Sequence, residues 1–169
     1  MSTDRVRVRW AGRRQMIAWD ERGHATVMDA PAGHSGEGTG ARPIDVFLQA
    51  LGACTAMDVV SIAAKKRQAI DDYRIHLRGD QRDEYPQVYT AIDVVHEVTG
   101  VDISEAAIRR SIELSATKYC PVSAMISAGA TVVHHRYRIH STGANPYDAE
   151  GEVIATGPYA RPDVMVDQR

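Results

Sequence analysis

Two cysteines, Cys54 and Cys120, are the only thiols in this chain of 169 residues. A thiol can perform nucleophilic and redox chemistry, and it does so as the thiolate. Two thiols alone cannot form a four-thiolate zinc site, and a permanent disulfide is not expected in a reducing compartment. The two cysteines are therefore either inert buried thiols, which are common in protein cores, or a redox-active pair.

The local sequence favours Cys120 as the more reactive thiol. A thiol with a pKa near 8.5 is only about 3% thiolate at pH 7, so a reactive cysteine needs a nearby cation or helix N-terminus. Pro121 breaks one helix and opens another, which makes Cys120 an N-cap with Lys118 close by. Cys54 instead lies within an apolar helix, where burial raises a thiol pKa, and the Asp58 carboxylate one turn away opposes thiolate formation.

A long apolar helix must carry Cys54. Pro43 suits the first helical position, Asp45 complements the positive end of the helix, and residues 65–67 complement the negative end. The sequence between them is apolar on nearly every face, which predicts that the helix is buried all round. At 1.5 Å per residue it is about 35 Å long, roughly the diameter of a small domain. We infer that a second subunit helps to cover it, which predicts an intimate dimer.

Three strands precede this helix, and a hairpin follows it. The period-two alternation and the turn residues place the first strands at Arg5–Trp10, Gln15–Trp19 and Ala25–Met28. The glycine-rich segment Asp29–Arg42 lacks the Lys-Ser/Thr pair of a phosphate-binding loop, so we expect a mobile loop instead of a phosphate cradle. After the helix, alternating residues on both sides of Asp80–Pro86 predict the hairpin, with one face on a core.

The C-terminal part of the chain predicts one more helix and a last strand. The helix begins at Asp102, which forms a capping box with Glu105. Thr131–His140 is the last strand. The sequence then becomes rich in glycine and proline and loses its periodicity. We expect one domain over residues 1–140 and a C-terminal extension over 141–169, partly disordered or lying across the partner.

The composition excludes several classes of function. Apolar residues make up 44% and charged residues 25%, and the net charge is −2, as in an ordinary soluble globule with no electrostatic case for nucleic acid or anionic lipid. Charges occupy the N-terminal segment where a signal peptide would be apolar, and no stretch approaches the ~18 to 20 apolar residues that span a bilayer. We expect a cytoplasmic protein with no nucleic-acid or membrane partner.

The histidines of the last strand are the candidates for a metal site. His134 and His140 share a face but lie about 20 Å apart by strand rise, and His135 points to the other face. We expect these to be solvated strand histidines, and the protein to have no metal and no cofactor.

Two segments carry a family resemblance: GARPIDVFLQALGACTAMDVVSIAAKKR and LSATKYCPVSAM. They resemble the signature segments of the OsmC/Ohr family of osmotically inducible and organic hydroperoxide resistance proteins, and are closest to its OsmC-like branch. The order of elements agrees over residues 4–140. The resemblance implies an α/β (α+β) fold of N-terminal antiparallel strands, long buried central helix, hairpin, second helix and last strand. It also implies an interlocked homodimer with two active sites at its interface.

The resemblance assigns the attacking role to Cys54. It implies a peroxidase in which Cys54 attacks a hydroperoxide and becomes a sulfenic acid, Cys120 resolves it as a disulfide, and a dithiol reductant resets the pair. Organic hydroperoxides are the expected substrates, with hydrogen peroxide the other one considered. The substrate tail is expected to lie against four apolar residues of the central helix: Phe47, Leu48, Leu51 and Met57.

The residues that would assist Cys54 match the family pattern less closely. Peroxidases of this family use an arginine in the turn after the first strand, where this chain has Arg13, with Arg14 as the second candidate. Its task would be to lower the pKa of Cys54 and to stabilise the departing alkoxide; an exposed turn arginine is the other interpretation. Those peroxidases also have a Glu after the helix-opening proline. Here Ile44 stands at that position, and Asp45 is the nearest carboxylate, as in the OsmC-like branch.

Two questions stay open at this point. Ile44 favours a rival hypothesis, in which the chain is a non-catalytic OsmC-like binding or thiol-buffering protein. Asp58 either pairs with an arginine and orders the site, or is a buried helix carboxylate satisfied by a backbone group.

Overall fold

The computed structural model describes residues 5–157, which form two compact units that divide between Gln49 and Ala50. The first unit contains an antiparallel sheet of three strands in the order β1-β2-β3, with ranges β1 Val6–Gly12, β2 Gln15–Asp20 and β3 Ala25–Met28. These are the three strands that the sequence predicts. The apolar face of β1 is not covered in the single chain, because Val6, Val8 and Trp10 are each more than 60% exposed.

The glycine-rich loop after β3 is organised around one buried carboxylate. Asp29 is 2% exposed and accepts hydrogen bonds from four donors: the backbone N–H groups of Ala30, Glu37 and Thr39 and the Thr39 hydroxyl. The Thr39 N–H is the largest of the influences that hold the pKa of Asp29 below its ordinary value. Gly36 passes so close to this centre that an added Cβ would lie 1.9 Å from the Ala30 carbonyl oxygen. The Asp29 carboxylate thus organises this loop.

Helix α1 spans Pro43–Lys65, close to the predicted range. Its buried residues follow one face: Leu51, Gly52, Thr55, Val59 and Ala63. A single chain does not cover the helix all round, because Met57 is 69% and Val60 44% exposed. Burial all round, with the help of a second subunit, stays a prediction. By length and composition alone α1 could cross a bilayer, contrary to the sequence analysis, but the core helix of a soluble protein passes the same test.

The second unit is built on a four-stranded sheet in the order β4-β5-β6-β7. Its strands are β4 Ala69–Gln81, β5 Tyr89–Val101, β6 Val132–Thr142 and β7 Tyr147–Thr156. The predicted hairpin is β4–β5, and β6 lies parallel to β5, whereas the other pairs are antiparallel. A parallel pair needs a long crossover connection, and the helical residues between β5 and β6 supply it.

Strand β7 follows the strand that the sequence analysis took to be the last. It pairs with β6 along its length, and Tyr147, Ala149 and Val153 pack against the core. The Tyr147 hydroxyl also donates a hydrogen bond to the Ile103 carbonyl oxygen over 2.8 Å. The division into a domain over 1–140 and an extension over 141–169 stays a prediction. The expected disorder or partner contact of the tail falls in part on residues 158–169, which lie outside the described residues.

Helix α2 spans Glu105–Leu114, and its cap differs from the prediction. Ser104 is the N-cap, and its side chain accepts a hydrogen bond from the Ala107 N–H. Asp102 has a positive φ of 48° and its carboxylate accepts from the Ala144 N–H instead. The predicted capping box is therefore wrong, because Asp102 lies in the turn before the helix, two residues ahead of the cap.

The core of the second unit joins one face of α1, α2 and the inner face of the sheet. Its members are Val59, Ala63, Val98, Ile103, Ile108, Ile112, Tyr137 and Ile139. After α2 the chain makes one π-helical turn, Ser115–Tyr119, and then the short helix α3, Pro121–Ser127. Cys120 is the N-cap of α3 in an extended conformation, as Pro121 predicts.

The inner face of this sheet also carries a buried pair of histidines. His96 and His135 have no exposed surface, and His96 Nε2 lies 3.4 Å from His135 Nδ1. The Tyr73 hydroxyl lies 2.5 Å from His96 Nδ1. Burial lowers the pKa of His96 to about 3 and that of His135 to about 4. The prediction that the strand histidines are solvated is wrong for His135.

The outer face agrees better with that prediction. His140 is exposed, with its Nδ1 2.7 Å from the Asp148 carboxylate, and His134 lies 3.4 Å from Glu152. Sequence alternation separated the two faces correctly but did not show that helices cover one of them.

Candidate thiol site

The second unit brings the two cysteines together. Cys54 lies in the middle of α1 and is half-buried, whereas Cys120 caps α3 and is 2% exposed. The Cys120 side chain lies within hydrogen-bonding range of the Cys54 thiol. Two residues that are 66 positions apart in the sequence thus form a thiol pair in the folded unit.

The two sulfurs lie side by side at the first turn of α3. The Val122 N–H reaches the Cys54 sulfur, and the Ser123 N–H donates to Cys120 Sγ over 3.3 Å. The first N–H groups of a helix have no partner within the helix. Here they are directed at sulfur, because Pro121 starts the helix beside α1.

Thr55 adds a second donor to Cys120. It follows Cys54 in α1, has no exposed surface, and its hydroxyl donates to Cys120 Sγ over 3.5 Å. A threonine within a helix ordinarily directs its hydroxyl to the carbonyl one turn back. In this site the hydroxyl links the helix that carries one cysteine to the sulfur of the other.

The π-helical turn positions the entry to α3. The Cys120 N–H donates to the Ser115 carbonyl oxygen over 3.0 Å, which closes the wide turn. The Ser115 hydroxyl donates to Asp58 Oδ2 over 3.1 Å. Single π-turns occur frequently at functional sites. This one fixes both Cys120 and the carboxylate next to Cys54.

Asp58 therefore follows neither of the two interpretations given above. Its described partner is the side-chain hydroxyl of Ser115, not an arginine and not a backbone group. The sequence analysis missed Ser115, although its place in the segment LSATKYC, five residues before Cys120, was a usable signal. The carboxylate is half-buried and is held one turn from Cys54.

The surroundings of Cys54 oppose its ionisation. Burial is the largest influence, and together with the hydrogen bond and the charge of Cys120 and the charge of Asp58 it raises the pKa of Cys54 to about 11. The Val122 N–H acts in the opposite direction. These surroundings favour the thiol form of Cys54 in a single chain, the direction expected from the local sequence.

The predicted assisting residues lie in the first unit, where Arg13 and Asp45 each have a partner. Arg13, in the turn after β1, has a positive φ of 46° and forms an ion pair with Glu37 over 2.9 Å. Asp45 accepts two hydrogen bonds from the Arg42 guanidinium over 2.6 and 2.8 Å, and Arg42 holds the pKa of Asp45 below its ordinary value. The sequence analysis named Arg13 and Asp45, and it missed both of their partners, Glu37 and Arg42. The Arg42–Asp45 spacing of three across the start of α1 was a usable signal.

The same unit contains a cavity of about 510 Å³ lined by three arginines and several apolar side chains. Arg14, the second candidate, lines it together with Arg13 and Arg42. Of the four residues predicted to hold a substrate tail, Phe47 and Met57 are exposed, Leu48 is half-buried and Leu51 has no exposed surface.

Comparisons with known proteins extend this description. Residues 36–135 match the sequence profile of the family described as OsmC-like protein. The Escherichia coli (strain K12) protein named Protein YhfA is 36% identical over 129 residues, which are 76% of this chain and 93% of that protein.

Two solved structures are similar in fold. A hypothetical protein from Aquifex aeolicus VF5 has a TM-score of 0.71 at 24% identity, over 84% of this chain and 99% of that one. An organic hydroperoxide resistance protein OsmC from Legionella pneumophila has a TM-score of 0.62 at 15% identity, over 82% and 97%. At these identities the two structures show the fold alone.

The fold and the site define a class of mixed α+β proteins in which a long helix carries one cysteine and a short helix is capped by another. The family match covers more than half of the chain. The chain belongs to the OsmC-like protein family, and both the predicted family and the predicted α+β fold class are confirmed. Some proteins with this fold are named organic hydroperoxide resistance proteins.

Proposed function

We propose that this protein is a thiol-dependent peroxidase that reduces organic hydroperoxides in defence against oxidative stress. The observation that carries the proposal is the contact between the Cys54 and Cys120 side chains at the first turn of α3. Two proteins with this fold are named organic hydroperoxide resistance proteins, which supports organic hydroperoxides as the substrate class. An inert pair of core thiols would not need backbone and hydroxyl donors directed at sulfur.

The proposed cycle assigns each thiol one role. Cys54 attacks the peroxide, because it is half-buried and can be reached, whereas Cys120 is enclosed. The attack gives a sulfenic acid at Cys54 and releases an alcohol. Cys120 then displaces water to form a disulfide, and a dithiol reductant restores both thiols.

A cationic partner and a second subunit complete the proposal. Arg13 is proposed to stabilise the thiolate formed during the attack and the departing alkoxide, with Arg14 as the alternative and Asp45 as a supporting carboxylate. Homodimer formation is supported by the exposed apolar face of α1. On it, residues at intervals of three and four are exposed: Ala50, Ala53, Met57, Val60 and Ala64. Such a stripe is typical of a helix that packs on another helix. The compartment proposed is the cytoplasm.

A thiol count tests the proposed activity. Reduced protein is mixed with one equivalent of cumene hydroperoxide, and free thiols are counted over time. We expect both thiols to be lost together, and the Cys54→Ser variant to keep its remaining thiol. Persistence of both thiols in the wild-type protein would refute the peroxidase, whatever the fold.

A second candidate function is a non-catalytic binding or thiol-buffering protein. The raised pKa of Cys54 favours it, because a thiol with a pKa of about 11 is almost wholly protonated at pH 7. Ile44, in place of the glutamate of the family peroxidases, points in the same direction. If thiols are oxidised only on the time scale of free cysteine in solution, this candidate replaces the peroxidase.

A further inference from the structure

We propose that one internal water molecule joins Ser123 Oγ on α3 to His135 Nε2 on β6. Through this bridge His135 is a positioning residue for Cys120, because the Ser123 N–H is one of the donors that hold the Cys120 sulfur. The positioning role rests on the proposed peroxidase function, in which Cys120 must form a disulfide. The water bridge itself does not depend on that function.

Two enclosed polar atoms of the second unit lack a partner. Within residues 5–157, four buried side-chain atoms have no hydrogen-bond partner. Two of these, Asp93 Oδ1 and His134 Nδ1, each lie within 3.4 Å of a charged side chain. The other two, Ser123 Oγ and His135 Nε2, belong to residues without exposed surface. Because an unpaired buried polar atom is costly, native proteins commonly satisfy such atoms with an internal water molecule.

The two atoms belong to elements that pack on each other. Helix α3 lies against β6, and at its end the Ser127 hydroxyl lies 2.7 Å from the hydroxyl of Thr156, which pairs with Val133. Ser123 is one turn before Ser127 on the same face of α3, and His135 is two residues after Val133 on the same face of β6. Each is thus about 6 to 7 Å from this contact along its own element. Both atoms therefore lie in one polar layer between α3 and the sheet, where a water molecule finds several partners.

The bridge extends a chain of buried polar groups to the thiol site. In the sheet, the Tyr73 hydroxyl lies 2.5 Å from His96 Nδ1, and His96 Nε2 lies 3.4 Å from His135 Nδ1. On α3, the Ser123 N–H donates to Cys120 Sγ over 3.3 Å. Ser123 is thus bound to the sulfur by its backbone and, through water, to the sheet by its side chain. His135 therefore fixes the first turn of α3 where Cys120 reaches its partner thiol.

Nitrogen NMR of the histidine side chains tests the bridge in the full chain without any oxidant. We expect Ser123→Ala to shift the Nε2 resonance of His135, and Ser111→Ala to leave it unchanged. Ser111 is the matched control because it is equally enclosed, whereas its hydroxyl donates to the Ala107 carbonyl oxygen of its own helix. The same Nε2 resonance in the wild-type protein and in Ser123→Ala overturns the bridge.

Substitutions at His135 test the positioning role. Glutamine places an amide group near the position of Nε2, whereas asparagine reaches only as far as Nδ1. Disulfide closure between Cys54 and Cys120 is followed after addition of diamide, which oxidises dithiols without a peroxide. We expect closure to be about threefold to tenfold slower in His135→Asn and in Ser123→Ala, and no slower when the two are combined. His135→Gln is expected to close at nearly the wild-type rate.

The outcomes separate the bridge from a general loss of packing and from the proposed enzyme. Effects that add in the double variant, or equal slowing by glutamine and asparagine at His135, refute the positioning role. So does a wild-type protein that forms no disulfide with diamide. A protein that behaves as expected in both experiments but keeps its thiols in cumene hydroperoxide refutes the peroxidase alone. Circular dichroism of the variants controls for folding.

Discussion

Two buried titratable centres of this molecule differ in whether the buried group is charged. Asp29, in the first unit, is enclosed by four donors and keeps its charge. The pair His96 and His135, in the second unit, lies under helices with few partners and stays neutral. Burial disfavours charge in both places. The number of converging hydrogen bonds therefore decides whether a buried group is ionised.

The ring nitrogens of the histidine pair have an incomplete set of hydrogen-bond partners. With Tyr73 donating to His96 Nδ1, His96 Nε2 carries the proton and donates to His135 Nδ1. His135 Nε2 then carries a hydrogen for which the described part of the chain contains no acceptor. The positive form of either ring would have no counter-charge in this chain of donors, so neutrality is the stable solution.

The two cysteines also differ in the hydrogen-bond donors around them. Cys120 has two enclosed donors in the manner of Asp29, whereas Cys54 has one backbone donor and a carboxylate nearby. Enclosed hydrogen-bond donors are thus a feature that the thiol site shares with the structural centre at Asp29.

The largest expected effect concerns acid stability through the histidine pair. A histidine with a folded pKa of about 4, below its unfolded value near 6.5, contributes full stability above pH 6.5. As the pH falls from 6.5 to 4, the unfolded chain binds a proton that the folded chain does not. The free energy of unfolding should fall by about 1.4 kcal/mol per pH unit for each histidine.

Urea denaturation between pH 4.5 and 7.5 measures that slope. His135→Gln, which cannot titrate, is expected to remove about half of it. His140→Gln on the exposed outer face, beside Asp148, is the matched control and should change the slope little. An equal slope in wild type and His135→Gln would mean that the buried ring is already protonated or hydrated.

The elements around these centres could be predicted to different extents. Helix α1 and the Cys120 cap followed from proline chemistry and an unbroken apolar run, which are local signals. Strand β7 was missed because its core positions include Gly151 and a bulge near Val153, so its apolar alternation is weak. Long-range partners such as Glu37 for Arg13 and Ser115 for Asp58 depend on the fold and leave no periodic pattern.

The second prediction concerns the charge of Asp29. Asp29→Asn keeps the shape but turns one acceptor into a donor that faces N–H groups, so we expect a fall in melting temperature on the order of 10 °C. In the wild-type protein the pKa of Asp29 is lower in the folded chain than in the unfolded chain. The charge of Asp29 therefore contributes stability that is present above pH 4 and is lost as the pH falls through the folded pKa. The acid loss due to Asp29 should therefore begin near pH 4, where that of His135 ends and that of His96 continues.

Glu37→Gln is the control for Asp29→Asn. Its carboxylate is exposed and pairs with Arg13 on the surface, so its loss should shift the melting temperature by no more than a few degrees. Should the two variants melt alike in differential scanning calorimetry, the hydrogen bonds at Asp29 would not stabilise the loop as described.

The smallest expected effect concerns Asp58 and its charge beside the thiol pair. The Asp58 charge is the least of the influences that raise the pKa of Cys54, because burial and Cys120 act more strongly. Asp58→Asn removes the charge and retains an acceptor for the Ser115 hydroxyl. We expect the rate of Cys54 alkylation by iodoacetamide to rise two- to fivefold at pH 8, since a fraction of a pH unit changes the thiolate population by that factor.

Glu113→Gln provides the control for that experiment, because this carboxylate lies on α2 and pairs with Arg110 on the surface. Alkylation of Cys54 should be the same in Glu113→Gln and in the wild-type protein. A slower reaction in Asp58→Asn would show that the carboxylate serves Cys54 as a proton acceptor instead of opposing its charge.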